Sequence, residues 1–417
     1  MSRPTLSICV ITYNRATLLQ QTLAHLACVK TWPFECEVIV SDNCSTDDTA
    51  AVVAGAQKEF AQVRYVQQAR NVGMDNNFIA AFRMATGDYA LYLADDDRLI
   101  PDAVVSLVQY MERTPRLAAC YAPQEGWDDV TKKSLYLDFH VGEAKVFGKN
   151  ESLEVFNYLI QRRIFPEIAI YRTNALHKSL YPTRRLYWAF VALARLLECG
   201  EIAFVPSPFY RYVERSADGA SIEHQGDAGI ISGLDLFRGG LEYFLLRAYR
   251  NLGYPAVPQD QRDTARKMID SFVFSRLGVA VRKMAYVYKD FIGAHATLAR
   301  MLYSCVNSVG ELPEYRHEIS VKATVQAVVG TFDACTSLTR LLLYRVSDAS
   351  SVMRLLHEIR HDLPVYLLPD DSVKSLADKQ TVLILAGSDG DRQTLLAAGY
   401  PEGYIILEPE LLARFAL

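Results

Sequence analysis

Three consecutive carboxylates, Asp95–Asp97, are the residues of this chain whose type and spacing most directly suggest chemistry. They follow the apolar run Leu91–Ala94, which is typical of a buried strand. Because neighbouring like charges repel one another, a strand that ends in them needs a counter-charge, most simply a divalent metal. Mg²⁺ and Mn²⁺ prefer carboxylate oxygens and commonly bridge nucleotide phosphates. The alternative is a solvated acidic turn that caps the next helix, since Pro101 and Asp102 follow closely.

The elements before this triplet alternate between short apolar runs and amphipathic segments. The predicted strands are Leu6–Thr12, Glu37–Ser41, Val63–Val66 and Tyr89–Ala94, and the predicted helices are Ala16–Ala27, Ser45–Phe60, Asn76–Thr86 and Ala103–Arg113. This alternation indicates an α/β fold with a doubly wound, mostly parallel sheet. Ligands bind such sheets at the carboxyl ends of the strands. Polar residues at 13–14, 42–43 and 95–97 all follow strand ends, so we expect them to converge on one edge.

The rest of the chain is organised differently. Residues 115–225 have a less regular pattern. Residues 230–345 are predicted to be nearly all helical, and one of their long helical stretches covers 320–347. The last seventy or so residues return to alternating strands and helices. We therefore predict a first domain over 1–228, with halves 1–115 and 116–228, a helical region over 229–348, and a small Rossmann-like α/β domain over 349–417.

Composition excludes some classes of protein. The 417 residues carry a net charge of −4, which argues against a protein that holds nucleic acid by bulk charge. Eight cysteines without CxxC spacing suggest free thiols in a reducing compartment. With neither a signal-peptide layout nor a long apolar run, we expect a cytoplasmic protein without a membrane span.

Four stretches of the N-terminal half carry a family resemblance. They are LSICVITYNRATLLQQTL, EVIVSDNCSTDDT, ARNVGMDNNFIAAFRMATGDYALYLADDD and, more weakly, GEIAFVPSPFYRY. In this order and spacing they resemble the nucleotide-sugar-binding domain of inverting family 2 glycosyltransferases, which have the GT-A fold. The similarity covers roughly residues 4–215, and the SDN variant is similar to members that build bacterial surface polysaccharides.

The resemblance implies a nucleotide pocket built from the first two loops. Thr12, Tyr13, Asn14 and Arg15 would line it, with Tyr13 near the base. Asp42 would accept the imide N–H of a uracil or thymine ring. The alternative for Asp42 is an N-cap of the following helix.

Two further segments complete the donor site that the resemblance implies. Arg70 and Asn71 match the segment that closes over the base and diphosphate, although Arg70 could also be an ordinary surface charge. Asp95 and Asp96 would contact the ribose and the metal environment, and Asp97 would be the direct ligand, with Asp95 beside it. The implied cofactor is Mn²⁺ or Mg²⁺, which would offset charge on the leaving nucleoside diphosphate.

The chain departs from the family where the catalytic base is expected. Inverting members usually carry a Glu-Asp pair about six residues before an Arg, and the Asp takes the proton of the acceptor hydroxyl. Aligning Arg195 and Gly200 with this pattern puts Trp188 and Ala189 at the pair, and neither can take a proton. Glu167 is one replacement candidate, because an apolar setting would raise its carboxyl pKa; a partly exposed loop carboxylate is the alternative. Further candidates for the catalytic base are Glu198, Glu201 and His140.

The end of the resemblance leaves two more roles open. Relatives often have a His after the final strand that completes the metal site; no His is at that place here, and Glu214 or the later His224 are candidates to replace it. Arg211 and Arg215 are candidates for diphosphate contacts. Trp188, with its neighbour at 187, forms either a stacking platform for an acceptor sugar or part of the core.

The resemblance implies a metal-dependent glycosyltransferase that moves a sugar from a UDP- or dTDP-linked donor to a bacterial surface glycan or lipid-linked acceptor. The alternatives are a non-catalytic nucleotide-sugar-binding or scaffold protein that lost its base, and a nucleotidyltransferase, which the absence of a Gly-rich, Lys-containing loop disfavours. Basic and aromatic residues in 262–289 suggest either a peripheral contact with anionic lipid on the inner membrane face or a packed helix pair. The C-terminal region loosely resembles small Rossmann-like domains of polysaccharide-assembly enzymes. It is therefore the region that we expect to contact a second copy of the chain or an assembly partner.

Overall fold

The computed structural model describes residues 5–59, 62–183, 185–216, 233–304 and 313–416. The chain divides into two compact units, Met1–Val273 and Phe274–Leu417. The strands, in chain order, are β1 (Leu6–Thr12), β2 (Cys36–Asp42), β3 (Val63–Gln67), β4 (Tyr89–Ala94), β5 (Arg98–Leu99), β6 (Leu117–Tyr121), β7 (Gln124–Asp128), β8 (Lys133–Leu137), β9 (Lys145–Phe147), β10 (Ala169–Arg172), β11 (Glu201–Phe204), β12 (Tyr210–Arg215), β13 (Arg340–Tyr344), β14 (Val365–Leu367), β15 (Val382–Ala386) and β16 (Ile405–Leu407).

Along the chain, the α-helices alternate with these strands and also form its middle region. In chain order they are α1 (Ala16–His25), α2 (Thr49–Glu59), α3 (Met74–Arg83), α4 (Pro101–Arg113), α5 (Ser152–Arg162), α6 (Thr173–Ser179), α7 (Trp188–Cys199), α8 (Leu234–Asn251), α9 (Gln259–Arg282), α10 (Phe291–Ser304), α11 (Pro313–Ala334), α12 (Ala349–Ile359), α13 (Asp389–Ala397) and α14 (Glu408–Arg414). A search of the described helices for one with the length and apolar character of a membrane span returns none.

The first unit contains an eight-stranded sheet in the order β3-β2-β1-β4-β10-β6-β11-β9. Strands β3, β2, β1 and β4 are parallel, whereas β10 is antiparallel to both of its neighbours, β4 and β6. The carboxyl ends of β1, β2, β4 and β6 therefore share one edge with the amino end of β10. The predicted α/β fold with a mostly parallel sheet is confirmed.

Burial explains why the central strands form where the sequence predicts them. Strands β1 and β2 are buried along their whole length, in agreement with continuous β-branched and apolar runs covered on both faces. Gly87 precedes β4 because a Cβ there would lie 2.9 Å from the Ser7 nitrogen, so only glycine permits this approach. Its N–H donates to the Ser7 hydroxyl at 2.8 Å, which ties β4 to β1.

A second sheet of the first unit lies beyond the acidic triplet in sequence. Its order is β5-β12-β7-β8, and β5 starts directly after Asp97. Strand β12 pairs antiparallel with β5 and parallel with β7, and β7 and β8 form an antiparallel pair. The sequence analysis named none of these four short strands, nor β10.

Several predicted boundaries are wrong. Helix α2 begins at Thr49 rather than Ser45, because the backbone N–H of Thr49 bonds to Asp47 (3.1 Å), which acts as the local cap. Helix α3 ends at Arg83 rather than Thr86. Residues 340–344, predicted as helix, form strand β13, whose partners β14 and β15 lie further along the chain and override the local helical pattern.

The second unit contains a fully parallel four-stranded sheet in the order β14-β13-β15-β16. Helices α12 and α13 connect its strands, so the predicted return to a small α/β arrangement is confirmed. Before this sheet the unit is helical, as predicted, through α10 and α11.

Candidate active site

The ends of β1, β2 and β4 bring the predicted polar residues together. Thr12 and Asp42 are register partners at the ends of β1 and β2. The Thr12 hydroxyl donates to Asp95, which directly follows β4, at 2.7 Å. The predicted convergence on one sheet edge is therefore confirmed for Asp42 and Asp95, and Thr12 joins them there.

The acidic triplet is buried and is not a solvated turn. Asp95, Asp96 and Asp97 are 1%, 3% and 2% exposed, so the alternative of a solvated acidic cap for the next helix is wrong. Arg15 donates to Asp95 at 2.6 Å and to Asp96 at 2.7 Å, one guanidinium nitrogen to each carboxylate. Burial and the Asp96 carboxylate raise the pKa of Asp95 above its usual value, against the opposing effect of Arg15.

Asp97 connects the triplet to β12. Its Oδ2 accepts from the Tyr210 hydroxyl at 2.6 Å, and its Oδ1 accepts from the Val213 backbone N–H at 2.9 Å. The same Tyr210 oxygen accepts from the Ala94 N–H at 3.1 Å. Tyr210 is 1% exposed and therefore links the last residue of β4 with the last residue of the triplet. The sequence analysis assigned Tyr210 no role, although it lies in the fourth stretch of the resemblance.

The charges at this edge fit a divalent cation. Three buried carboxylates lie side by side here, and the Arg15 guanidinium pairs with two of them, Asp95 and Asp96. Among the described residues, no three His, Cys, Asp or Glu side chains form a ready metal cage. Mg²⁺ sites often use only one or two carboxylates together with substrate phosphates. Asp95 and Asp97 could supply the one or two carboxylates of such a Mg²⁺ site. Their role as metal ligands remains a prediction.

Asp42 is fully buried at the end of β2. Its Oδ1 accepts from the Ser45 N–H at 2.9 Å, and its Oδ2 accepts from the Tyr65 hydroxyl at 2.6 Å and from Gln67 at 3.1 Å. The alternative role as N-cap of α2 is wrong, because α2 begins seven residues later, at Thr49. Contact with a pyrimidine imide remains a prediction for Asp42, and the structure adds Tyr65 as a neighbour with no sequence signal.

Tyr13 and Asn14 occupy the loop after β1. Asn14 has a positive φ of 52° and accepts from the Thr46 N–H at 2.8 Å, and its own N–H donates to Ser45 at 2.8 Å. These bonds fasten the loop after β1 to the loop after β2. The Tyr13 side chain is exposed at 39%, so its ring is available to a nucleotide base.

Arg70 and Asn71 differ in what they contribute to the fold. The Asn71 amide oxygen accepts from Asn43 and from the Gly73 N–H, both at 2.9 Å, so Asn71 positions its loop beside the end of β2. Arg70 is exposed and makes no hydrogen bond or ion pair with any residue in the described ranges. Its guanidinium is therefore not required by the fold and is available to an anion.

Glu167 lies at the same edge as the triplet. Strand β10 starts at Ala169 and runs antiparallel to β4 and β6, with Ile170 opposite Leu91. Glu167 lies two residues before β10, in a turn where its N–H donates to the Phe165 carbonyl oxygen at 2.9 Å. The negative charge of Glu167 also contributes to the raised pKa of Tyr92, after burial and the three aspartates. The predicted base is thus near the acidic edge, and its catalytic role remains a prediction.

Arg211 and Arg215 are not directed to the acidic edge, which corrects the prediction of diphosphate contacts. Arg211 donates to Glu125 at 2.7 Å, and its guanidinium lies 3.6 Å from the centre of the Trp127 ring. Arg215 pairs with Asp128 at 3.3 Å. Because side chains alternate along a strand, Arg211 points away from the face on which its neighbour, residue 210, reaches the triplet.

Several of the remaining candidates for catalytic or sugar-binding roles make other contacts. Trp188 is 7% exposed and packs on Phe78 at a ring distance of 4.2 Å, so it belongs to the core and is not a sugar platform. Glu198 pairs with Arg247, and Glu201 lies 3.2 Å from Arg116. The others are His140, which is exposed, Glu214, which accepts from Tyr136, and His224, which lies outside the described residues.

Comparison with known proteins assigns the N-terminal part of the chain to a family. Residues 7–177 match the family model Glycosyl transferase family 2. This range contains the acidic triplet and the polar residues at the ends of β1 and β2, so the family match and the candidate site fall in the same part of the chain.

Individual relatives match parts of the chain. Abequosyltransferase RfbV of Salmonella typhimurium is 27% identical over 161 residues, which are 38% of this chain and 46% of the relative. The GalNAc(5)-diNAcBac-PP-undecaprenol beta-1,3-glucosyltransferase of Campylobacter jejuni is 34% identical over 194 residues, 44% of this chain and 62% of the relative. The chain thus spans about half to three-fifths of these curated relatives. Among solved structures, TarS 1-349 of S. aureus with UDP-GlcNAc has 17% identity and a TM-score of 0.41, covering 72% of this chain and 89% of that one.

Proposed function

We propose that the protein is a metal-dependent glycosyltransferase that moves a sugar from a UDP- or dTDP-linked donor to a bacterial surface glycan or lipid-linked acceptor. The observation that carries the proposal is the buried run of three carboxylates, Asp95–Asp97, at the end of a strand within residues 7–177, which match the family model Glycosyl transferase family 2. The relatives named as abequosyl- and glucosyltransferases support transfer of a sugar, and the undecaprenol in one name supports a lipid-linked acceptor.

The donor would bind across the loops after β1, β2 and β3. The exposed ring of Tyr13 would stack on the base, and the Arg70 guanidinium would pair with the diphosphate. Asp42 would accept the imide N–H after exchanging one of its present donors. When Mn²⁺ or Mg²⁺ is bound by Asp97 and Asp95, it neutralises charge on the leaving diphosphate.

The transfer step needs a group that accepts the proton of the acceptor hydroxyl. The acceptor oxygen forms a bond to C1 of the donor sugar, and the bond from C1 to the diphosphate oxygen breaks. The electron pair of that bond leaves with the nucleoside diphosphate, and the hydroxyl proton passes to the Glu167 carboxylate. The position of Glu167 just before the amino end of β10, at the sheet edge where the triplet lies, supports this role.

The alternative function is a protein that binds a nucleotide sugar and transfers nothing. It is favoured by α7, where Trp188 and Ala189 are buried and provide no carboxylate at the position usual for the base. Release of free sugar from the donor separates the two functions. If the protein is a transferase, Glu167→Gln should slow this release by about 10²- to 10⁴-fold and leave the affinity for the nucleotide unchanged. If the native protein binds the nucleotide but hydrolyses no donor, the result favours the binding function.

Calorimetric titration of UDP, dTDP, GDP and ADP, with and without Mn²⁺, tests the donor site. We expect Mn²⁺-dependent binding of UDP or dTDP, and a loss of about tenfold or more in Arg70→Ala, because one charge-assisted hydrogen bond is removed. Arg113→Ala is the matched control, since Arg113 is also exposed but closes α4, outside the strand-end loops. Absence of binding by all four nucleotides would contradict the proposal.

A further inference from the structure

The sheet formed by β5, β12, β7 and β8 has one face directed to the acidic edge. Tyr210 lies on this face, since its hydroxyl reaches Asp97. Two residues further along β12, residue 212 pairs with Gly126 of β7, which in turn pairs with Tyr136 of β8. We call Gly126, Tyr136, Asp138 and Tyr210 the tyrosine face.

Tyr136 lies flat against this face because Gly126 has no side chain. A Cβ at Gly126 would lie 2.5 Å from two ring carbons of Tyr136, so any larger residue would displace the ring. The Tyr136 hydroxyl donates to the Glu214 carboxylate, which fixes the ring in its plane. The side chain nevertheless remains 46% exposed. The fold therefore presents an oriented aromatic ring to solvent.

Asp138 places a carboxylate beside this ring. Its Oδ1 accepts from the Gln124 N–H at 2.7 Å and from the Phe139 N–H at 2.9 Å. Its Oδ2 has no hydrogen-bond partner within the described part of the chain. The residue is exposed to solvent, and partial desolvation by the neighbouring protein, with a contribution from the Glu167 carboxylate, raises the pKa of Asp138.

The tyrosine face is adjacent to the reacting groups. Besides burial and Glu214, the carboxylates of Asp138 and Asp97 raise the pKa of Tyr136, so all three lie within electrostatic reach of its phenol. Glu167 acts on Asp138 in the same way. A ligand on the ring of Tyr136 would thus lie within electrostatic reach of Asp97 and Asp138.

A pyranose has the chemistry that this face can recognise. Its C–H face packs on aromatic rings, and its hydroxyls donate to carboxylate oxygens. A ring that is already oriented loses little conformational entropy on binding. We propose that the acceptor's sugar residue binds here, with its C–H face on Tyr136 and one hydroxyl donating to Oδ2 of Asp138. This inference rests on the proposed function, because it takes the ligand to be the acceptor of that transfer.

Octyl glycosides of glucose, galactose, mannose and N-acetylglucosamine are suitable probes for this site. Their binding is measured by saturation-transfer difference NMR on the full chain, with and without Mn²⁺ and the nucleotide that binds. We expect Tyr136→Ala to weaken binding of the best glycoside about two- to tenfold, the worth of one aromatic contact. Tyr136→Phe, which keeps the ring, should lose less. Leu135→Ala is the matched control, because Leu135 is 52% exposed on the same strand and its replacement removes an apolar side chain but leaves the Tyr136 ring in place.

The outcomes separate this inference from the proposed function. The inference is overturned if Tyr136→Ala binds the glycosides like Leu135→Ala, or if no glycoside binds the native chain under either condition. Nucleotide affinity, measured on the same samples, should be the same in all variants. Glycoside binding that depends on Tyr136 in a chain that binds no nucleotide would support the sugar site and contradict the transferase.

Discussion

Arg15 holds the acidic edge together, and its replacement is the most direct test of the electrostatic argument. The guanidinium is 12% exposed and contacts carboxylates that are 1% and 3% exposed, at 2.6 and 2.7 Å. Removing one partner of a buried ion pair typically costs about 3–5 kcal/mol, because the remaining charge stays buried without compensation. We therefore expect Arg15→Gln to lower the free energy of unfolding of the first unit by about 3–5 kcal/mol.

Urea unfolding followed by tryptophan fluorescence measures this change. All three tryptophans, Trp32, Trp127 and Trp188, lie in the first unit, so the signal reports that unit. Arg116→Gln is the matched control, because Arg116 is 79% exposed and its pair with Glu201 is open to solvent. Exposed pairs contribute only about 0–1 kcal/mol. The free energy of unfolding of the control should lie within about 1 kcal/mol of the native value. If that of Arg15→Gln also lies within about 1 kcal/mol of it, the electrostatic argument is refuted.

A divalent cation should partly reverse the effect of Arg15→Gln. A ligand at about 100 times its Kd stabilises the folded state by about 2.7 kcal/mol. Since the variant lacks the positive charge that competes with a cation at the carboxylates, Mn²⁺ should stabilise it more than it stabilises the native chain. Equal stabilisation of both by Mn²⁺ would indicate that the cation binds elsewhere.

Three further predictions concern other parts of the structure. Tyr210→Phe should cost about 3 kcal/mol in the same unfolding assay, because Asp97 loses a donor and a buried backbone N–H loses its acceptor; a cost below about 1 kcal/mol would contradict this. Burial raises the pKa of Glu37, but four hydrogen bonds to its carboxylate outweigh this effect and hold the pKa below its usual value. The native protein should therefore be more stable than Glu37→Gln by its full margin at pH 7, and this margin should shrink as the pH falls below about 4.3. An advantage that grows in acid would have the wrong sign. Gly387→Ala should open the second unit to limited proteolysis, since its Cβ would lie 1.9 Å from the Arg345 carbonyl oxygen; unchanged cleavage would show that the turn can adjust.

The local pattern of residues was sufficient for the central part of the fold. Strands β1, β2 and β4 were predicted within a residue or two, because strands buried on both faces are continuous apolar runs. The same runs set the positions of Asp42 and Asp95–Asp97 at strand ends. Helix limits were less predictable: the start of α2 depends on the Asp47 side chain, which competes with earlier capping residues for the same backbone.

The sequence by itself thus determined that carboxylates, a tyrosine and an asparagine follow neighbouring strands of one mostly parallel sheet. Only the tertiary structure decided how the charges are paired. Arg15 reaches residues 80 positions away, and no local signal shows that it, rather than Arg211, faces the triplet. The strand alternation that directs Arg211 to Glu125 also directs Tyr210 to Asp97, and it could be applied only once β12 was placed beside β5. Contacts between distant strands depend on sheet order, which short-range patterns do not encode.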